Sequence, residues 1–215
     1  MNFATKLGIG TTSGLGVTGA GVAGTHYSSI ETIGSQIKDS VLGTTDDFNE
    51  AWSDQFKKLS KEEGIPDSLK SIKDKHKDNN ENGGRAVKEW CQATYENTYK
   101  SKLSGPHEKE LAIAKKFCIL TLSERITNSL TQEDKILSFD GEADGSQYQT
   151  NYGKIASHND IPLPPELAEL KKHSGDASTK WKVIQSFCKQ KVPTPFRNIN
   201  DFKIVRKYCT KNSSN

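Results

Sequence analysis

A six-residue signature that ends in cysteine occurs four times in this chain of 215 residues. Each copy has two small or aliphatic residues, two polar residues, one aromatic residue and then the cysteine. The copies are 86–91, 113–118, 183–188 and 204–209, and they contain every cysteine of the chain, namely Cys91, Cys118, Cys188 and Cys209. In a helix, the residue four positions before each cysteine lies on the same face as that cysteine. The signature therefore predicts four amphipathic helical segments whose cysteines point inward.

Around these signatures the chain repeats a series of landmarks. Trp52 and Phe56 in the first half match Tyr148 and Tyr152 in the second. An Ile-Pro pair follows each, with the proline fourteen residues after the first aromatic, and a histidine then precedes the first cysteine of each half by fifteen residues. The pairs are Ile65-Pro66 and Ile161-Pro162, and the histidines are His76 and His173. Landmarks in the same order at nearly the same spacing predict an internal duplication.

The sequence predicts an all-α fold, because extended-strand patterns are almost absent and helical spacing is frequent. Two tandem duplicated helical units follow an N-terminal Gly-rich hydrophobic helix. The predicted divisions are a leader or membrane anchor at 1–27, a helical or loose stalk at 28–47, a first unit at 48–123, a linker at 124–147 and a second unit at 148–215. Stretches 78–84 and 173–178 are rich in turn-forming residues and are expected to be loops. Whether the two units pack as one body stays open.

The amino terminus carries no formal charge between Lys6 and Glu31. Residues 7–27 have about the length of a membrane-spanning helix, and their small residues, four apart, would favour close helix contacts in lipid. A cleaved signal peptide with a cut before Thr25 is the alternative. In both interpretations the rest of the chain is exported. We expect residues 28–215 to lie at the cell membrane on the extracellular side, or to be secreted if the leader is cleaved.

Two interpretations of the cysteines compete. In the oxidised one, each half closes its own bridge, Cys91 with Cys118 and Cys188 with Cys209, which requires Cα atoms within about 7 Å. In the reduced one, the four side chains are small buried hydrophobes. The duplicated pairs and the exporting leader favour bridges, although four cysteines allow three pairings and the crossed ones stay open.

The sequence offers no pattern for catalysis or for a cofactor. Zinc is disfavoured because no short Cys-x-x-Cys spacing occurs, and a cysteine nucleophile would need an electropositive, partly exposed environment. His76 and His173 each end a lysine-rich helix, where a cation is favourable. No nucleophile elbow and no distinct pair of acid and base carboxylates stands out. We therefore expect neither an enzyme nor a metal or cofactor site.

Charge is distributed unevenly along the chain although the net charge is only +3. Segment 180–211 has nine lysines and arginines against one acid, whereas segment 124–179 has five bases against ten acids. A basic end with aromatic residues suits an anionic ligand, such as a glycan, a lipid head group or nucleic acid. The competing interpretation is a solvated helical face that the acidic middle segment neutralises. No specific nucleic-acid recognition is expected.

The uncharged leader, the four aromatic-cysteine signatures and the lysine-rich duplicated body together resemble the paralogous surface or membrane-anchored proteins of hemotropic mycoplasmas. The resemblance covers the whole chain, rests on pattern rather than on a catalytic motif, and assigns no functional residues. It implies a membrane-anchored or secreted protein that faces host surface molecules, in adhesion or antigenic variation. The alternative is a module that binds anionic ligands through 180–211.

Overall fold

A computed structural model describes residues 30–173 and 175–211. In those ranges the predicted all-α class is confirmed, since helix dominates and strand is confined to two short antiparallel pairs. The leader or anchor at 1–27, including the membrane segment 7–27, lies outside the described residues. Among the described residues, no helix is both long enough and apolar enough to cross a membrane.

Ten α-helices and four short strands follow one another along the described ranges. The helices are α1 (Ile33–Ile37), α2 (Asn49–Ser60), α3 (Asp67–His76), α4 (Asn80–Tyr95), α5 (Glu108–Cys118), α6 (Leu122–Ser129), α7 (Gly145–Gly153), α8 (Pro165–Leu170), α9 (Ala177–Lys191) and α10 (Ile199–Cys209). The strands are β1 (Glu31–Thr32), β2 (Thr98–Lys100), β3 (Lys135–Ile136) and β4 (Thr210–Lys211). Strand β1 pairs with β2, and β3 pairs with β4.

The first cysteine helix is the centre of each half. In the first half, α4 packs against α2, α3 and α5, and in the second half, α9 packs against α7, α8 and α10. The four cysteines are fully buried, as is the residue four positions before each of them. The predicted inward face of the signature is therefore confirmed, because helical spacing places these side chains in one apolar stripe.

The two halves share one hydrophobic core. An aromatic cluster joins them, with the ring of Phe196 5.0 Å from that of Phe48 and 5.7 Å from that of Phe202. The backbone N–H of Phe196 also donates to the carbonyl of Leu120 at 2.7 Å. The buried side chains of both halves form a single continuous cluster, which answers the question that the sequence left open.

The structure adds detail to three of the predicted segments. Residues 30–47 of the predicted helical or loose stalk contain helix α1, and Ile33, Ile37 and Leu42 are buried in the core. The predicted linker 124–147 contains most of helix α6, which begins with a capping box between Thr121 and Glu124. Residues 80–84 are the first turn of α4 rather than a loop, with Asn79 capping the helix through a bond from the backbone N–H of Asn82.

Two glycines explain why α4 begins so early. A Cβ atom added to Gly84 would lie 2.6 Å from the backbone nitrogen of Ser53 on α2. One added to Gly83 would lie 2.4 Å from the ring of Phe56. The two helices approach each other closely at this point, so the glycines serve packing between helices rather than a turn. Composition alone points to a loop here, which is why the prediction failed.

Candidate functional site

Two disulfide bonds lock the cysteine helices together. Cys91 is bonded to Cys118 with Cα atoms 5.7 Å apart, and Cys188 is bonded to Cys209 with Cα atoms 5.5 Å apart. Each bridge joins α4 to α5 or α9 to α10, as the interpretation with one bridge per half predicts. The predicted pairing is confirmed, and the crossed pairings are excluded. Because all four sulfur atoms are used and buried, these cysteines act as structural cross-links.

The second cysteine of each half accepts the same backbone hydrogen bond. The N–H of Leu42 donates to the carbonyl of Cys118 at 3.0 Å, and the N–H of Leu137 donates to that of Cys209 at 2.9 Å. These bonds tie the segment before α2, and the segment before α7, to the end of the bridged helix. The bridge therefore also anchors the chain that enters each half.

The lead aromatic of each half makes a further matched bond. The indole N–H of Trp52 donates to the carbonyl of Gly43 at 2.8 Å, and the hydroxyl of Tyr148 donates to that of Ser138 at 3.1 Å. Burial raises the pKa of Tyr148 well above its usual value, with a smaller contribution from the nearby carboxylate of Asp144. Tyr148 therefore stays a neutral donor.

A buried amide lies three residues after each lead aromatic, and its hydrogen bonds differ between the halves. Gln55 donates through Nε2 to the carbonyl of Ile119, and Asn151 donates through Nδ2 to the carbonyl of Thr210 at 3.0 Å. The oxygen of Asn151 accepts a bond of 3.2 Å from Gln147. The oxygen of Gln55 is buried and has no hydrogen-bond partner within the described chain. The residue that corresponds to Gln147 is Ala51, which cannot donate a side-chain bond.

His158 is buried in the turn before the second Ile-Pro pair. Its Nε2 lies 2.7 Å from the carbonyl of Ile161, and its Nδ1 lies 2.8 Å from the hydroxyl of Tyr208 and 3.2 Å from Nζ of Lys207. A carbonyl can only accept, so Nε2 carries a proton and donates to Ile161. Burial raises the pKa of Tyr208, so its hydroxyl keeps its proton beside Nδ1. This geometry ties the turn to α10.

Arg125 on α6 connects the two halves electrostatically. The side chain is 9% exposed, and its Nη1 lies 2.9 Å from Oδ2 of Asp54, whose side chain is 3% exposed. The other guanidinium nitrogen bonds to Glu50. The guanidinium also lies over the ring of Phe202 on α10, 5.0 Å from its centroid. Sequence reasoning missed this buried pair, because Asp54 and Arg125 are 71 positions apart.

The basic segment 180–211 is largely neutralised by acids. Five of its nine bases form ion pairs, which are Lys180 with Asp176, Lys182 with Glu142, Lys189 with Asp140, Lys191 with Asp201 and Lys207 with Asp160. Four of these five acids belong to the acidic segment 124–179. Ion pairs of this kind lower the positive potential that an anionic ligand would meet, so the arrangement favours the solvated-face interpretation.

An exposed lysine on β3, Lys135, pairs with Asp144, the residue directly before α7. Lys135 Nζ lies 2.7 Å from one oxygen of Asp144, and the N–H of Ser138 donates to the other oxygen at 2.7 Å. The hydrogen bond from Lys135 and then that from the backbone of Ser138 lower the pKa of Asp144 below its usual value. The carboxylate also lies directly before the first helical residue, where negative charge is favourable.

A cleft of about 390 Å³ separates α2 from α6. Gln55, Lys58 and Lys61 line it from the side of α2, while Ser123, Glu124 and Thr127 line it from α6. An ion pair of 2.9 Å between Lys58 and Glu124 joins the two walls. Sequence analysis did not predict this cleft, because one of its walls belongs largely to the segment predicted as a linker.

The described ranges contain no cluster of side chains that could bind a metal ion. Within 30–173 and 175–211, no three His, Cys, Asp or Glu side chains come together as a metal would require. His76 and His173 end α3 and the short 3-10 turn after α8, as their positions in the repeat predict.

No family model, curated protein or solved structure matches this chain.

Proposed function

We propose that the protein is exported and displayed at the outer face of the cell membrane, or secreted, as a non-enzymatic helical scaffold whose surface meets host molecules. Its role is adhesion or antigenic variation, in which the exposed side chains vary or bind while the bridged core holds the fold. The proposal keeps the leader at 7–27 as the export or anchoring segment. The resemblance to hemotropic mycoplasma surface proteins supports the same role.

The observation that supports export best is the pair of buried disulfides. Disulfides persist in oxidising compartments and are rare where thiols are kept reduced. Two bridges that use every cysteine of the chain suit a protein that folds outside the reducing cytosol.

Protease treatment of intact cells tests the surface location. We expect an added protease to remove the body at 28–215 while a cytosolic marker protein survives. Mass mapping of the mature protein without reductant is the companion measurement, and it should find both bridges and reveal whether the leader is retained. A body that is fully protected in intact cells, but cleaved after lysis, would contradict surface display.

Anion binding through 180–211 is the second candidate function, and it is less well supported. Among the described residues, Arg197, Lys203 and Lys211 form no ion pair with an acid, and Arg197 and Arg206 donate to backbone carbonyls. If this segment bound a polyanion, affinity for heparin would fall steeply as salt rises. If the protein does not bind heparin, or if its affinity for heparin does not change with salt, anion binding through 180–211 is contradicted.

We also propose that the two halves descend from one duplicated helical unit. Three features support this origin, namely the bridge in each half, the matched bond to the second cysteine and the matched bond from the lead aromatic. A fourth match is a lysine bond in the Ile-Pro turn, where Lys73 donates to the carbonyl of Glu62 and Lys171 donates to that of His158. Such bonds depend on three-dimensional placement, so they support a common origin better than spacing alone.

A further inference from the structure

The cleft between α2 and α6 contains a buried acceptor that lacks a donor, while the corresponding acceptor in the second half has one. Gln55 is fully buried at this cleft, and its Oε1 lacks a donor among the described residues. The amide orientation is fixed, because reversing it would set Oε1 against the carbonyl oxygen of Ile119. In the second half Gln147 supplies the missing donor to Asn151. Buried acceptors normally have a hydrogen-bond partner, so this one needs a donor that the described protein does not supply.

The side chains around Gln55 that are free to bind a ligand can all donate hydrogen bonds. Within the described chain, no hydrogen bond or ion pair engages the side chains of Lys61, Ser123, Thr127 or Asn128, all of which line the cleft. The acids of the cleft, in contrast, are held by the protein. Asp54 pairs with Arg125, Glu62 with Lys116, and Glu124 with Lys58. A cleft whose acids are occupied and whose donors are free suits a ligand with a negative charge.

The ion pair across the cleft can open on one side. Glu124 is held in place, because its second oxygen accepts from the backbone N–H of Thr121 at 2.9 Å and from the Thr121 hydroxyl at 3.0 Å. Within the described residues Lys58 has no second partner, and its side chain is one third exposed. It lies one turn after Gln55 on the same face of α2. Because partly exposed ion pairs contribute little, a competing carboxylate can draw Lys58 away from Glu124.

From this geometry we infer that the cleft binds a small hydroxylated acid, a sugar acid of the uronic type. Its carboxylate pairs with Lys58 and Lys61, and its hydroxyls bond to Ser123 and Thr127. We infer that Lys58 moves aside when the acid binds, which lets one further hydroxyl donate to the otherwise buried Oε1 of Gln55. The volume of about 390 Å³ lies within the range of about 300–1,000 Å³ that is usual for small-molecule sites. The inference deepens the proposed function by naming a ligand class for a host-facing surface.

Titration of the purified, oxidised full chain with D-glucuronate, followed by calorimetry or NMR, tests the inference. We expect saturable binding to one site, at least about tenfold tighter than binding of D-glucose, which lacks the charge, and of inorganic phosphate, which lacks the carbon-bound hydroxyls. The variant Lys58→Ala/Lys61→Ala should lose at least about tenfold in affinity. Lys154→Ala is the matched control, because Lys154 holds the position of Lys58 in the second half and lies outside the cleft, and it should bind as the wild type does.

Three results would overturn the inference: no binding of glucuronate, equal binding by the double lysine variant, or phosphate binding as tight as that of glucuronate. Circular dichroism of each variant verifies that the helical fold is retained, which the exposure of Lys61 and the partial exposure of Lys58 lead us to expect. Because binding is measured on purified protein, this test is independent of protease accessibility on cells. Either proposal can therefore fail while the other stands.

Discussion

Removing one disulfide should cost the protein a predictable part of its stability. The bridges close loops with sequence separations of 27 and 21 residues. In the chain-entropy description, loops of these lengths contribute about 3.6 and about 3.4 kcal/mol at 25 °C. The two double variants, Cys91→Ala/Cys118→Ala and Cys188→Ala/Cys209→Ala, should therefore lose similar amounts, about 3–4 kcal/mol each, because the logarithm of loop length makes the six-residue difference almost negligible.

Urea unfolding of the full chain without reductant, followed by circular dichroism, measures these losses. Both variants should unfold at lower urea, and with a steeper dependence on urea, because an unfolded chain without its cross-link exposes more surface. Losing both bridges should remove about 7 kcal/mol, which is comparable with the total stability of about 5–15 kcal/mol of ordinary domains. A variant with all four cysteines replaced should thus be close to unfolded at 37 °C.

Reductant supplies the internal control for this experiment. Dithiothreitol should destabilise the wild type strongly, each double variant by the contribution of its remaining bridge, and the four-cysteine variant not at all. A loss below about 1 kcal/mol in either double variant would refute the reasoning, because such a loop should contribute about 3 kcal/mol. The bridge in question would then fail to constrain the unfolded chain.

Three further predictions concern packing and charge. Gly84→Ala should lower the free energy of unfolding by about 1–3 kcal/mol, because the added Cβ would meet the backbone of α2. Gly153 has open space around it, so Gly153→Ala should raise the free energy of unfolding by up to about 1 kcal/mol in the same urea assay. Arg125→Met should lower the free energy of unfolding by about 3–5 kcal/mol, because buried Asp54 would keep only the half-exposed Lys57 as a partner, and the double variant with Asp54→Leu should recover part of this loss. Folding lowers the pKa of Asp144 below its value of about 3.9 in the unfolded chain. The ionised carboxylate therefore stabilises the fold at pH values above about 3.9, and this contribution is lost as the pH falls through the lower pKa of the folded state. Stability of Asp144→Asn should accordingly fall less steeply over this acidic range than that of the wild type.

The cysteine signatures predicted the fold class and the bridges for a simple physical reason. Helical spacing is a local property, so the inward faces of α4, α5, α9 and α10 could be identified from six residues at a time. Two buried cysteines on adjacent helices of one hairpin are also close in space, which favoured one bridge per half over the crossed pairings. Both predictions depend on contacts that are short in sequence or fixed by helix geometry.

Helix α6 shows what a closer use of local rules could have recovered. Thr121 is followed three residues later by Glu124, and this spacing is the capping-box pattern that marks a helix start. In the structure the pattern forms both of its hydrogen bonds, so the signal was present in the sequence.

The candidate cleft could not be predicted in the same way. Its walls come from α2 and α6, and its special feature is an acceptor on Gln55 that lacks a donor. Nothing in the residues around Gln55 marks it as unsatisfied, because the deficit appears only when its surroundings are compared with those of Asn151 in three dimensions. The pair of Asp54 and Arg125 escapes prediction likewise, since opposite charges 71 positions apart have many possible partners.

The proposed duplication also explains why the two halves share hydrogen bonds more clearly than residues. The position seven residues before the first cysteine is Gly84 in one half and Trp181 in the other. Gly84 brings α4 against the backbone of α2, whereas Trp181 fills the space between α9 and α7, stacking on Tyr148 at 5.9 Å and contacting Gly145. Side chains can exchange volume across a helix contact and still fill the core. A backbone bond such as that from Leu42 to Cys118 has no such substitute, so it persists in both halves while the side chains diverge.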